Sequence, residues 1–269
     1  MMSKYKSIFI SDIHLGSRGS KAKLLYKFLD YIEDDVGTDN LFIVGDLIDI
    51  WALKRKWKFP KSHSNIVRKL LGMAKRGIHV TYLPGNHDET FKEFSGNKFG
   101  KIKIKNFCTY KSVNKKRYYV CHGDEFDIFM TPKFSWISHL GGGVYERILW
   151  MNQILNWWRK KTGGKYWSLS KYVKRKAKIA SNVISKYENA LINSGEKKGY
   201  DGVICGHIHH AENKIINDFH YLNSGDWVDS CTALGEDFDG HRHLIDWGHT
   251  TFNNHLYSFS PSILIFNIT

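Results

Sequence analysis

Short apolar runs alternate with helical spacings along most of the chain. Residues 7–10, 41–44, 80–83, 118–121 and 203–205 are rich in β-branched or aromatic side chains and read as buried strands. Between the first two, Leu24, Leu25, Phe28, Leu29 and Ile32 recur at helical spacing, and residues 62–75 repeat a weaker form with Ile66, Leu70 and Met73 on one face. Such alternation predicts a layered α/β fold. Each strand then gives way to a polar cluster: Ser11-Asp12-Ile13-His14, Gly45-Asp46, Gly85-Asn86-His87-Asp88 after Pro84, His122-Gly123-Asp124, and Gly206-His207-Ile208-His209. Ligands of α/β sheets bind beyond the carboxyl ends of the strands, which is where all five clusters fall.

The rhythm breaks over residues 126–194, where two helical patterns flank Gly163-Gly164. In the second, Leu169, Val173, Ala180, Val183, Ile184, Tyr187 and Leu191 trace one apolar face, with Lys171, Lys174, Arg175 and Lys178 on the polar side. The segment holds twelve Lys/Arg against three acids, a net +9 of the chain's +14, and five of its nine tryptophans: Trp136, Trp150, Trp157, Trp158 and Trp167. Two readings fit: the interior of a helical hairpin, or an amphipathic face resting on anionic lipid. Residues 1–125 and 195–269 are therefore expected to form one catalytic domain, with residues 126–194 a helical, basic, Trp-rich lid insertion.

With 269 residues, 42% of them hydrophobic and 14% aromatic, the chain has the composition of a folded domain and not of a disordered one. Forty basic against twenty-six acidic residues favour an anionic partner, whether a phosphorylated substrate, a nucleic acid or an anionic membrane surface. Neither a reader motif nor basic–aromatic strands are found, so no nucleic acid is expected. The four scattered cysteines read as buried free thiols. Lys4 and Lys6 lead straight into Ile8-Phe9-Ile10 without the long apolar region of a signal peptide, and no apolar run reaches the ~18 residues of a membrane span. The expectation is a cytoplasmic protein, soluble or peripheral at the inner membrane.

The polar clusters suit one chemistry. Water attacks phosphorus slowly because it is a weak acid and the phosphate oxygens repel it; two divalent cations ~3.5–4 Å apart relieve both difficulties. Such a pair needs a bridging carboxylate, with imidazole and amide groups completing each shell without excess negative charge. Asp12, His14, Asp46, Asn86, His122, His207 and His209 supply that set. Each motif alone is weak, since a strand-end Asp is often a cap and Asn86 after Pro84-Gly85 reads equally as a turn residue. Their joint occurrence, in order and each at a strand end, is what carries the signal. Arg18, in the loop after the first cluster, offers a planar fork for phosphate, or is simply solvated. His241, His243 and His249 are loosely spaced and read as surface or rim residues.

Asp12-x-His14, Gly45-Asp46-x-x-Asp49, Gly85-Asn86-His87-Asp88, His122 and Gly206-His207-x-His209 together resemble the calcineurin-like metallophosphoesterases, over about residues 8–234. The resemblance implies a four-layer α/β/β/α sandwich. It implies one metal on Asp12, His14, Asp46 and His209 and a second on Asp46, Asn86, His122 and His207, bridged by Asp46. Mn²⁺ is the usual metal of that family, while the ligand types also admit Fe or Zn. His87 matches a histidine that binds phosphate or protonates the leaving group, with Asp49 orienting it, and Asn86 also faces substrate; the bland reading of His87 is a turn cap.

The stretches Ser11–Arg18, His122–Asp127 and Leu222–Val228 are further similar to the UDP-2,3-diacylglucosamine pyrophosphohydrolases, which carry a helical lid where residues 126–194 lie. One departure stands out: the best-known branch has arginine where this chain has His87. The leading expectation is hydrolysis of UDP-2,3-diacylglucosamine, a lipid-linked nucleotide, to UMP and 2,3-diacylglucosamine 1-phosphate. The rivals are a phosphomonoesterase or phosphodiesterase acting on nucleotides or phosphoproteins and, in another class, a basic nucleic-acid or membrane-binding module with a vestigial metal site. A vestigial site would have lost a ligand, and all seven are present.

Overall fold

The computed structural model describes residues 4–129 and 169–248. Two compact units divide the chain, Met1–Phe126 with Leu191–Thr269, and Asp127–Ala190. Most of the expected insertion, including its five tryptophans, lies outside the described residues, as does His249.

The order is β1 (Tyr5–Ile10), α1 (Ala22–Asp30), β2 (Thr38–Val44), α2 (Ile50–Arg55), α3 (Lys61–Arg76), β3 (His79–Leu83), β4 (Lys98–Phe99), β5 (Ile102–Ile104), β6 (Phe107–Lys111) and β7 (Arg117–Cys121). There follow α4 (Leu169–Lys197), β8 (Gly202–Cys205), β9 (Glu212–Ile216), β10 (Phe219–Asn223), β11 (Thr232–Asp237) and β12 (Arg242–Asp246). The five expected strands are β1, β2, β3, β7 and β8. They form the parallel centres of two sheets, ordered β12-β11-β1-β2-β3-β5-β4 and β6-β7-β8-β10-β9.

Apolar runs without alternation are what strands buried on both faces require. Ile8, Ile10, Leu41 and Ile43 point to one side of the first sheet, among Leu25, Phe28 and Leu29 of α1 and Ile66, Leu70 and Met73 of α3. Phe9, Phe42 and Val44 point to the other, against Tyr110, Tyr118, Val120, Ile204 and Leu222 of the second sheet. There Phe9 stacks on Phe42 at 4.7 Å, and Tyr110 meets Phe9 edge-on at 5.1 Å. The Tyr110 hydroxyl donates to buried Glu236, which also accepts from Arg242 at 3.0 Å, so a satisfied polar link joins the sheets.

Both flanks carry helices. On the first, Lys69 of α3 reaches Asp30 and Glu33, and Arg76 grips Glu33 through two 2.7 Å bonds. On the second, Leu191 and Ile192 of α4 are buried, and Gly195 lies so close to the Phe219 ring that an added Cβ would sit 2.5 Å from it. The architecture is the expected two-sheet sandwich flanked by helices. All four cysteines are free and buried. Among the described residues no helix is long and apolar enough to cross a membrane.

Candidate metal centre

The loops leaving β1 and β2 are stitched together: the Ile13 and His14 amides both donate to the Asp46 carbonyl, at 3.0 and 2.8 Å. The loops after β7 and β8 join where the Gly206 amide donates to the His122 carbonyl at 3.2 Å. Tight curls at these strand ends put non-glycine residues into left-handed backbone: Asp12 (φ 53°), His14 (51°), Asp46 (52°), His207 (72°) and His209 (53°). That conformation costs of order 1 kcal/mol or more at each residue and persists where surrounding bonds enforce it. Here it turns successive side chains inward. Gly45 (φ +89°) has no such choice, because a Cβ there would lie 1.9 Å from Nδ1 of His122. A Cβ at Gly85 would lie 2.2 Å from Oδ1 of Asp46.

The inward side chains converge. Asp46 Oδ2 lies 3.6 Å from Nε2 of His14 and 3.4 Å from Nε2 of His122, so one carboxylate oxygen faces both sides of the site. Its Oδ1 accepts from the His87 amide at 2.9 Å. On one side His14 Nε2 and His209 Nε2 are 3.4 Å apart, and Asp12 Oδ1 is 3.3 Å from the latter. On the other, His207 Nδ1 is 3.3 Å from Nε2 of His122, whose Nδ1–H donates to the Val44 carbonyl at 2.9 Å, fixing the tautomer that leaves Nε2 free to ligate. Three overlapping groups, Asp12–His14–His209, His14–Asp46–His87 and Asp12–Asp46–His122, each bring their ligand atoms within 4.8 Å of one another.

Two atoms test the fit to cations. Asp12 Oδ1 and Asn86 Oδ1 are both buried without a hydrogen bond. Burying an acceptor unsatisfied is costly, and a cation is the partner that removes the cost. Carboxylates, imidazoles and an amide oxygen are also the donor set of borderline divalent metals. The overlapping groups around Asp12, His14, Asp46, His122 and His209 mark a binuclear metal-binding site.

The electrostatics agree. Burial lowers the His122 pKa, but Asp46 and then Asp12 outweigh it and push it up to about 10. Burial raises that of Asp46, yet His122, His14 and His87 hold it below the carboxylate range. For His14, burial opposes protonation and Asp49, Asp46 and Asp12 favour it, with a net rise. The pocket therefore attracts positive charge, which protons meet in the absence of metal and dications meet better.

Asp49 caps α2 by accepting from the Ala52 amide at 2.7 Å and binds His87 Nδ1 at 3.1 Å; its other oxygen lies 3.7 Å from His14 Nδ1. His87 also packs on Trp51, ring centres 4.1 Å apart. Arg18 is exposed and does not join the cluster; it lines an adjoining cavity. His241 and His243 stand apart on Asp237, at 3.5 and 2.9 Å, as rim residues.

Two supporting residues escaped the sequence reading. Buried Asp226 takes the Val228 amide at 2.8 Å and the Ser230 hydroxyl at 2.8 Å, and its Oδ2 lies 3.9 Å from Nδ1 of His209. Buried Asp88 takes the Gly85 amide at 2.7 Å, the Ile48 amide at 3.1 Å and the Tyr82 hydroxyl, locking the loops that carry Asp46 and Asn86. The strand-end position of both was the available signal.

Comparison with known proteins follows this geometry. A family model described as calcineurin-like phosphoesterase matches residues 5–211. The UDP-2,3-diacylglucosamine hydrolase of Xanthomonas campestris pv. campestris is 33% identical over 84 residues, 30% of this chain and 32% of that protein. The uncharacterized protein YvnB of Bacillus subtilis is 29% identical over 159 residues, 56% of this chain and 12% of that one. The match thus spans about a third of the hydrolase and about an eighth of YvnB. Among solved structures, Yfce, a phosphoesterase from E. coli, aligns with a TM-score of 0.45 and 14% identity, over 90% of this chain and 93% of that one.

Proposed function

Because the chain belongs to the calcineurin-like phosphoesterase family of metal-dependent hydrolases, we propose that it cleaves the pyrophosphate of UDP-2,3-diacylglucosamine, giving UMP and 2,3-diacylglucosamine 1-phosphate. The observation that carries the phosphoesterase chemistry is the place of Asp46 Oδ2, 3.6 Å from His14 and 3.4 Å from His122, where one carboxylate could serve two cations. In this reading Asp12, His14, Asp46 and His209 hold one metal, and Asp46, Asn86, His122 and His207 hold the other, with Mn²⁺ the expected ion. The cations supply positive charge at the phosphoryl oxygens and lower the pKa of the attacking water.

The chain's own residues do the rest. Asp49 accepts Nδ1–H of His87 at 3.1 Å, which stabilises the ring when Nε2 also carries a proton; that Nε2 proton passes to the leaving oxygen, and the ring returns to neutral imidazole. Trp51 keeps the ring in place. Asn86 contacts the phosphate under attack, and Arg18, from the adjoining cavity, offers its fork to substrate phosphate. Residues 126–194, with a net +9 and five tryptophans, recognise the acyl chains and an anionic surface, while residues 1–125 and 195–269 form the catalytic domain. The partial likeness to UDP-2,3-diacylglucosamine hydrolases supports the substrate. His87 favours a second reading, a phosphodiesterase or phosphomonoesterase on nucleotides or phosphoproteins, because the Asp49–His87 pair serves any phosphoester leaving group.

The test is UMP release from the lipid nucleotide by Mn²⁺-loaded protein. The expected kcat/KM exceeds that for bis-nitrophenyl phosphate by at least about 10²-fold, the scale of a few extra binding contacts. Equal values would remove the lipid assignment and leave the broader hydrolase.

A further inference from the structure

Beside the metal loops lies a cavity of about 500 Å³ whose lining includes Gly16, Arg18, Arg55, Lys56, Lys58 and His63. Its walls come from the segments that carry the site: Gly16 to Arg18 follow His14, and Arg55 ends the helix that Asp49 caps, with Lys56 and Lys58 just after it. Among the described residues no acidic side chain lines it. None of its four cations has a carboxylate partner among the described residues, whereas Lys6, Lys69, Arg76 and Lys92 are each paired with one. Unpaired like charges repel one another, and gathering four around one concavity is unfavourable unless an anion enters.

His63 adds a directional donor. The Gly16 amide donates to its Nδ1 at 2.8 Å, so the proton of the neutral ring sits on Nε2, which has no protein acceptor among the described residues. The four cationic side chains and the His63 ring thus all bring N–H donors to the cavity. Its volume lies in the range of pockets for small organic ligands, ~300–1,000 Å³, and exceeds what one phosphate fills.

We propose that this cavity is a second anion subsite, which takes a phosphate-bearing part of the substrate other than the phosphorus attacked at the metal centre. It rests on the phosphoesterase reading and narrows it. The preferred substrates carry at least two anionic groups, as nucleoside diphosphate derivatives do, and a singly charged diester fills only the metal centre.

Metal-stripped protein lacks the dications that draw phosphate to the metal centre, and comparison with a variant that loses only the cavity's cations isolates the subsite. After EDTA treatment and dialysis, uridine diphosphate, uridine and inorganic phosphate are titrated calorimetrically into the full-length chain and into the Arg55→Ala/Lys56→Ala/Lys58→Ala variant. All three positions are exposed, and an unchanged melting temperature confirms folding. The wild type should bind uridine diphosphate but not uridine, more weakly at high salt. The variant should bind it at least tenfold more weakly, and Arg55→Lys should bind it nearly normally. Equal affinity in wild type and triple variant, or no binding by the wild type, would overturn the proposal. So would loss of adhesion to phosphatidylglycerol vesicles with uridine diphosphate binding unchanged. Inorganic phosphate binding as tightly as the nucleotide would mark a free-phosphate site and overturn the assignment to substrate. Failure of the lipid nucleotide as a substrate leaves these results standing, since they read affinity without turnover.

Discussion

Asp49 Oδ1 lies 3.1 Å from Nδ1 of His87, and the same carboxylate reaches Nδ1 of His14 at 3.7 Å through its other oxygen. One buried acid therefore orients both a residue proposed to meet the leaving group and a residue proposed to bind metal. Burial raises its pKa, but the two histidines and the Ala52 amide more than reverse that, holding it well below the carboxylate range.

Replacing His87 by Ala should lower turnover ~10²–10⁴-fold, the usual weight of a general acid, while leaving metal content intact. The loss should be greater for alkyl leaving groups than for nitrophenol, which needs little protonation. Asp49→Asn should also lower turnover, and in addition weaken metal retention through His14. Steady-state kinetics beside metal analysis separate the two variants; equal losses on good and poor leaving groups would assign His87 to phosphate positioning instead.

Gly45→Ala should destabilise the fold by about 3 kcal/mol, at the upper end for single substitutions, because backbone strain and a steric clash add. The new methyl would meet His122 Nδ1 at 1.9 Å and break its 2.9 Å bond to the Val44 carbonyl. Gly77 is the control: its φ is +115°, but nothing lies within 4 Å of an added Cβ. Gly77→Ala should cost only about 1 kcal/mol from the backbone. Urea unfolding of both variants decides; similar losses would mean that packing of Gly45 against His122 contributes nothing.

His220 predicts acid sensitivity away from the metal site. Burial first, then Arg242 and Lys116, pull its pKa down to about 4. It is held neutral by Asn213 Oδ1 at 2.7 Å on Nε2 and the Tyr118 hydroxyl at 3.1 Å on Nδ1. The unfolded chain binds the proton near pH 6.5 and the folded one only near 4, so stability is complete above 6.5 and falls as the pH drops through that window. The contribution is about 3 kcal/mol at most. Melting temperatures between pH 7 and 4 should fall more steeply for wild type than for His220→Gln; parallel curves would contradict the assignment.

What the sequence made legible follows from burial. The C-terminal parts of strands β1, β2, β3, β7 and β8 are covered on both faces, so their residues are nearly all apolar and the polar clusters that follow stand out. By contrast β9 and β12 are half-exposed and carry Glu212, Lys214, Arg242 and Asp246, so no apolar run marks them as strands. The strand-end Asp and His residues were visible as candidates because the chemistry restricts residue type. Asp226 and Asp88 were not, since their partners are largely backbone amides, which no sequence pattern marks. Arg55, Lys56 and Lys58 form no motif in the sequence, and only the fold brings them to one cavity with Arg18.

The proposed two-metal site depends on one shared carboxylate, and the most direct measurement takes metal stoichiometry and phosphodiesterase turnover from the same samples of wild type and Asp46→Ala. Wild-type protein reconstituted with Mn²⁺ should hold about two ions per chain, with activity rising as the second binds. Asp46→Ala should hold fewer and hydrolyse no substrate measurably. Full turnover at one ion per chain, or near-normal turnover by Asp46→Ala, would contradict the two-metal mechanism.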